Sequence, residues 1–173
     1  MSPPRKRRPN PQGSARGLSS WLIVRVVLAG HGGEPLHDPP GRDLLVSTRH
    51  PFKDLASAID TAFARWDRGH LHEFSLSDGR RIGMADADEF GADGELDEAI
   101  ETLGTASMKD GDTFDYIFDL GDSWEHDCTV LRTNVDPQAE LGAVPRDIVP
   151  VFGWGAMPDQ YGRIGPDRDE SDE

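Results

Sequence analysis

The segment 114–126 constrains the fold of this chain more strongly than any other part of the sequence. It begins with aromatic side chains at alternate positions, and this period of two is typical of a strand with one buried face. Residues 120–123 then supply Gly, Asp and Ser, which favour a turn, and a second alternating run begins at Trp124. The segment therefore predicts a β-hairpin. Its polar side chains lie at the bend and on the return strand: Asp119, Asp122, Ser123, Glu125 and His126.

Hydrophobic patterns in the first third of the chain predict two strands and a helix. Residues 21–28 are rich in β-branched side chains and, with residues 42–48, predict an antiparallel pair of strands. Residues 51–67 carry a single apolar stripe at helical spacing. We therefore expect a helix here that lies across the sheet, with Phe63 and Trp66 as its core anchors.

The middle of the chain predicts a second hairpin and a second helix. Residues 70–76 and 81–83 flank an Asp-Gly pair, which favours a tight hairpin turn. Residues 95–103 follow an acidic loop and place apolar side chains on one helical face. The expected fold is thus a single α+β domain of order ββαββαββ. It has an antiparallel or mixed sheet of about six strands, with two helices packed on one face.

Length and charge limit the organisation of the chain. A chain of 173 residues accommodates one domain with a substantial core, and the net charge of −14 hides a basic start, since residues 1–20 hold five Lys or Arg and no acid. An acidic body repels phosphates, so only this basic start favours nucleic acid. Four parts are expected: a disordered basic arm (1–18), the α+β domain (19–134), a Pro/Gly-rich extension packed on the domain (135–165) and a disordered acidic tail (166–173).

The single cysteine and the length of the apolar runs limit the kinds of site and the cellular compartment that we expect. Cys128 is the single cysteine of the sequence, which excludes an internal disulfide and a zinc site built on cysteines. The longest apolar run, residues 21–30, contains Arg25 and is too short to span a bilayer. We therefore expect a cytoplasmic protein without a membrane partner.

Two sequence blocks resemble the plasmid pRiA4b Orf-3-like family of bacterial proteins. They are His-Leu-His-Glu-Phe at 70–74 and Tyr-Ile-Phe-Asp-Leu-Gly-Asp-Ser-Trp-Glu-His at 116–126. The resemblance implies a compact α+β domain with a ubiquitin-like character, and it carries no agreed biochemical function. Some members have a transposon-resolvase label, but recombination needs a Ser or Tyr nucleophile among cationic groups that neutralise a phosphate. The acidic body of this chain contains no such cluster.

The two blocks also contain the candidate site residues. His70 and His72 stand on the same face of a strand, about 6–7 Å apart, so both are able to approach one metal ion. His126 with a nearby Asp would complete a set of ligands suited to zinc or another divalent metal. The alternative is that the block stabilises the hairpin and shapes a binding surface without a metal or cofactor. The residues proposed for binding are His70, His72, Asp119, Asp122, Trp124 and His126.

Three functional hypotheses follow from these patterns. The one that we adopt is a binding or interaction module without catalysis of its own, whose partner is another protein or macromolecule. The first alternative is an enzyme that uses a divalent metal held by His70, His72 and His126. The second is an accessory protein of a mobile element that contacts nucleic acid through residues 1–18.

Overall fold

A computed structural model of the chain describes residues 20–84 and 95–162. The strands among these residues form one large sheet. Within these residues there are nine strands and two short helices. The strands are β1 (Trp21–His31), β2 (Glu34–Pro35), β3 (Gly41–Ser47), β4 (His72–Leu76), β5 (Arg81–Gly83), β6 (Glu95–Asp97), β7 (Thr113–Phe118), β8 (Trp124–Val135) and β9 (Val149–Trp154). The helices are α1 (Phe52–Ala62) and α2 (Pro137–Leu141).

The sheet is mixed and follows the order β6-β5-β4-β7-β8-β1-β3-β9, with β2 attached to β1. Every pairing is antiparallel except that of β5 with β6. Strands β4, β7 and β8 lie side by side, so that Phe74, Tyr116 and His126 stand opposite one another across the sheet. The two sequence blocks are therefore neighbours in the fold.

The main core lies between one face of the sheet and helix α1. Residues Leu55 and Ile59 of the helical stripe are fully buried there. Each buried Phe contributes about 1.5–3 kcal/mol relative to an exposed one. The core is dominated by aromatic side chains: Phe52, Phe63, Phe74, Phe114, Tyr116, Phe118 and Trp124.

The prediction of about six strands with two helices packed on one face is wrong. Residues 95–103 form the short strand β6 and turns instead of a helix. Helix α1 has no side-chain cap, and its first amides donate to this segment: Phe52 N to Glu101 O and Lys53 N to Glu98 O. These bonds hold the segment in its turn conformation, so tertiary contacts override the local apolar pattern.

The prediction that Trp66 anchors the core is also wrong. Helix α1 ends at Ala62, and Ala64 adopts a positive φ of 55°, which turns the chain away from the helical path. Phe63 is buried as expected, but Trp66 is 51% exposed. Arg65 takes the inward position and is buried beside the sheet.

The extension beyond β8 contributes an edge strand to the sheet, because β9 pairs with β3. The predicted arm 1–18 and tail 166–173 lie outside the described residues, so these two boundaries stay predictions. None of the described helices is long and apolar enough to cross a membrane.

One pair of acids on the far face of the sheet is expected to cost stability. Asp115 and Asp127 are direct partners across β7 and β8, and burial together with Asp127 raises the pKa of Asp115. Replacing Asp127 with Asn should therefore stabilise the protein by about 0.2–1 kcal/mol near neutral pH. Urea unfolding checks this, and the gain should disappear in an Asp115→Asn background. An undiminished gain in that background would contradict repulsion between these two carboxylates.

Candidate functional site

The bend between β7 and β8 forms as the sequence predicts, and Asp119 organises it. Asp119 and Ser123 adopt positive φ values of 58° and 50°. The Oδ1 atom of Asp119 accepts hydrogen bonds from the amides of Gly121 and Asp122, at 3.1 and 3.2 Å. This carboxylate replaces the water that the turn amides would otherwise need. Its second oxygen lies 3.2 Å from Nδ1 of His70.

Each histidine of the candidate metal set has its own partner. Nε2 of His70 lies 3.0 Å from the hydroxyl of Tyr161, and Nε2 of His72 lies 2.6 Å from Oε2 of Glu98. Nδ1 of His126 lies 3.1 Å from the carbonyl oxygen of Tyr116. In the part of the chain that the structure describes, no group of three or more His, Cys, Asp or Glu side chains is placed to hold a metal ion. The structure therefore does not gather these histidines around one point.

A buried pair, Asp60 and Tyr116, connects the end of α1 to the sheet. The hydroxyl of Tyr116 donates a hydrogen bond of 2.9 Å to Oδ1 of Asp60. Burial raises the pKa of Asp60 to about 6, although the bond from Tyr116 acts in the opposite direction. Burial and the neighbouring Asp60 raise the pKa of Tyr116, so the phenol stays protonated.

Arg65 is the most unusual residue of this region. It is only 2% exposed, and its Nε, Nη1 and Nη2 atoms have no hydrogen-bond partner among residues 20–84 and 95–162. Its Cζ atom lies over the rings of Trp124 and Phe118, at 4.1 and 5.9 Å from their centroids. Burial lowers the pKa of Arg65 to about 10, against the attraction of Asp60. The side chain is therefore a buried cation at neutral pH.

Two further buried polar atoms next to Arg65 are without a partner in the described chain. They are Nε1 of Trp124 and Nε2 of His126. Burial and then the charge of Arg65 lower the pKa of His126 to about 3, so this imidazole is neutral. A neutral ring that donates from Nδ1 to the carbonyl of Tyr116 leaves Nε2 as an acceptor. We call Arg65, Trp124 and His126 the Arg65 cradle.

An open cleft adjoins the cradle, and Trp124 belongs to both. The cleft has a volume of about 450 Å³, and we call it the Trp124 cleft. The ring of His31 stacks on Trp124, with centroids 3.8 Å apart and an interplanar angle of 14°. The cleft is lined by His31, Leu36, Asp122, Trp124, Pro158, Asp159, Gln160, Tyr161 and Gly162.

Gln160 fixes the wall of the cleft to the segment that carries Arg65. It is 2% exposed, and its Oε1 accepts from the amides of Trp66 and Asp67, both at 3.1 Å. Its Nε2 donates to the carbonyl oxygen of Asp67 at 2.8 Å. Tyr161 adds a bond of 2.7 Å to Oδ2 of Asp67, which raises the pKa of Tyr161 to about 12. The cleft therefore has a preorganised wall.

Replacing Gln160 with Ala should destabilise the protein by about 1–3 kcal/mol, because the buried Gln160 side chain is the acceptor for the amides of Trp66 and Asp67. Urea unfolding measures the loss, and hydrogen exchange should show faster exchange at these two amides. Gln138→Ala is the matched control, since Gln138 bonds only its own exposed helix end at Gly142. Equal losses in both variants would contradict the role of Gln160.

The sequence-based site and the observed site overlap only in part. Trp124 and His126 belong to the cradle, and Asp122 lines the cleft. His70, His72 and Asp119 serve neighbouring side chains or the bend. Sequence reasoning missed Arg65, Asp60 and Gln160. The sequence carries no signal for their burial, because Arg, Asp and Gln are mostly exposed side chains.

A family described as "Plasmid pRiA4b ORF-3-like protein" matches residues 34–151 of the chain. A relative in Sinorhizobium fredii (strain NBRC 101917 / NGR234), the uncharacterized protein y4hQ, is 36% identical over 69 residues, which are 39% of this chain and 34% of the relative. The chain thus spans about a third of the length of this curated relative. A solved structure, the protein of unknown function MM3350 from Methanosarcina mazei Go1, is 22% identical with a TM-score of 0.59. That match covers 83% of this chain and 75% of the other, and it shows a shared fold.

Proposed function

The chain belongs to the plasmid pRiA4b ORF-3-like family, and from its site we propose that it is a non-catalytic binding domain whose partner docks in the Trp124 cleft. The names of its relatives give no activity, so the proposal rests on the geometry. The observation that carries it is the position of Trp124 between an open cleft and buried groups that have no partner in the described chain. A concave site with aromatic walls and a few convergent polar groups is typical of binding sites.

The state of the reactive side chains supports binding rather than catalysis. Cys128 is 1% exposed, and burial raises its pKa, which keeps the thiol protonated and out of reach. His70 and His72 contact carboxylates, and Asp119 accepts hydrogen bonds from the amides of the bend. These contacts give the three side chains a structural role.

The charge of the chain favours a protein or another macromolecule over nucleic acid as the partner. The whole chain carries −14, and an acidic surface repels phosphate backbones. The cleft adds Asp122 and Asp159 to its rim, while its aromatic residues Trp124 and Tyr161 are of the kind enriched at protein interfaces.

Site-specific photo-crosslinking in the cells that make the protein tests this function. A photoreactive phenylalanine derivative replaces Pro158 in the cleft wall or, as the control, Val144, which is 63% exposed and lies outside the cleft. We expect a discrete adduct of higher mass at position 158 and none at 144. Adding Tyr161→Ala to the first variant should weaken the adduct, because this change removes part of the wall.

Two outcomes would contradict the proposed function. One is that illumination gives no adduct at position 158. The other is that the same adducts form at 158 and at 144, which would mean random contact with abundant proteins.

A further inference from the structure

The guanidinium of Arg65 is buried over the ring of Trp124, but the fold does not explain its unpaired N–H donors. Its five N–H donors have no acceptor in the described chain, and a buried polar group without a partner is costly. Asp60 does not supply one: its Oδ1 takes the hydroxyl of Tyr116, and no ion pair within 4.0 Å joins it to Arg65 among the described residues. Buried groups of this kind indicate a missing water, ion or ligand.

Three such groups lie in one buried region, since Cζ of Arg65 is 4.1 Å from the ring centroid of Trp124 and its charge acts on His126. Their chemistry is complementary to one kind of ligand. Arg65 and Trp124 supply N–H donors, one of them carrying a full positive charge. Nε2 of His126 is an acceptor, and the charge of Arg65 acts on the same ring. A ligand for this set therefore presents negatively charged oxygens that accept from Arg65 and Trp124. Beside them it carries an N–H or O–H group that donates a hydrogen bond to Nε2 of His126.

We propose that the Arg65 cradle binds a carboxylate group of the partner, with Arg65 and Nε1 of Trp124 donating to its oxygens. This inference rests on the proposed function, because the carboxylate arrives with the partner through the Trp124 cleft. Trp124 is the wall that the cleft and the cradle share. A planar carboxylate matches the fork of a guanidinium with two parallel hydrogen bonds.

The charges around the cradle favour a carboxylate over a phosphate group. One negative charge neutralises one guanidinium, whereas a phosphate group carries about −1.5 to −2. The additional charge would lie near Asp60, which is buried, and inside a chain with a net charge of −14. Below about pH 6, where the carboxyl of Asp60 is mainly protonated, a bound carboxylate therefore leaves the buried region close to neutral.

NMR spectroscopy of the indole N–H groups in the full-length protein tests the inference. The probes are potassium acetate, potassium phosphate and, at equal ionic strength, potassium chloride. Acetate should produce a saturable shift of the Nε1–H resonance of Trp124, which a Trp124→Phe spectrum identifies. The indole of Trp154 is the internal control, because its Nε1 already donates to the carbonyl of Pro39 at 3.1 Å.

Substitution of Arg65 gives a second readout. Arg65→Lys keeps the charge but loses the fork, so we expect the acetate affinity to fall about tenfold. Arg68→Lys should leave the affinity unchanged, since Arg68 is exposed and bonds to Arg65 O and Thr61. The titration of the unsubstituted protein remains decisive if the Arg65 variant does not fold.

The outcomes separate this inference from the proposed function. The absence of a saturable shift with acetate would overturn the carboxylate site, and the three groups would then share buried water. Tighter binding of phosphate than of acetate would also overturn it. Acetate binding without a crosslink at position 158 would support the carboxylate site and overturn only the docking of a macromolecule.

Discussion

Replacing Arg65 with Met is expected to stabilise the ligand-free protein by about 1–4 kcal/mol. Methionine keeps much of the apolar contact with Trp124 and Phe118 and removes a buried cation whose nitrogens have no partner in the described residues. Most substitutions of buried residues destabilise a protein, so a gain at this position would be a distinctive result. It would show that the unpaired guanidinium lowers the stability of the ligand-free protein.

Urea unfolding of the two proteins at about pH 5.5 checks this expectation. At that pH Asp60, with a pKa of about 6, is mainly protonated and neutral. Removing the positive charge of Arg65 therefore does not leave an unpaired buried carboxylate. Arg68→Met is the matched control, because it removes the same positive charge from an exposed side chain three residues further along the chain. Its effect on the free energy of unfolding should be small. A clear loss of stability in Arg65→Met would mean that the guanidinium has a structural partner.

His126 and Asp60 should give opposite pH dependences of stability. The pKa of His126 falls from 6.5 to about 3 in the folded state, so its contribution is present above pH 6.5 and is lost as the pH falls toward 3. The pKa of Asp60 rises from 3.8 to about 6, so its contribution is present below pH 3.8 and is lost as the pH rises toward 6. The full effects are about 4–5 kcal/mol for His126 and about 3 kcal/mol for Asp60.

Stability curves of two variants between pH 4 and 6 reveal the two effects separately, because they partly cancel in the unsubstituted protein. Relative to that protein, His126→Leu should lose stability as the pH rises, since Asp60 is then unopposed. Asp60→Asn, which still accepts from Tyr116, should gain stability as the pH rises. Parallel curves for all three proteins would contradict the burial of these groups in the charge states described here.

The fold was predictable where one periodicity dominates the local sequence. The hairpin of β7 and β8, the pairing of β1 with β3 and the existence of α1 all follow from such patterns. Residues 95–103 are a counterexample. Their apolar spacing is helical, but their carbonyls cap α1, and that requirement comes from tertiary contacts.

The site was predictable only at the residues that belong to the conspicuous block. Trp124 and His126 were predicted because the block is dense in functional groups. That Nε1 of Trp124 and Nε2 of His126 are buried without a partner in the described chain depends on the packing, which the sequence does not show. The burial of Arg65 was not predictable, since it depends on the end of α1 at Ala62, whereas the sequence predicts a helix over residues 51–67. Gln160 lies in the extension beyond β8 and has no motif, so only its three hydrogen bonds identify its role.

Unfolding of the unsubstituted protein and Arg65→Met at about pH 5.5 in increasing acetate, at constant ionic strength, tests the carboxylate site most directly. A ligand that binds only the folded state adds about 1.4 kcal/mol at ten times its Kd. Acetate should therefore stabilise the unsubstituted protein progressively. Arg65→Met should begin more stable and show no response. A lower initial stability of Arg65→Met, together with an equal effect of acetate on both proteins, would contradict the carboxylate site.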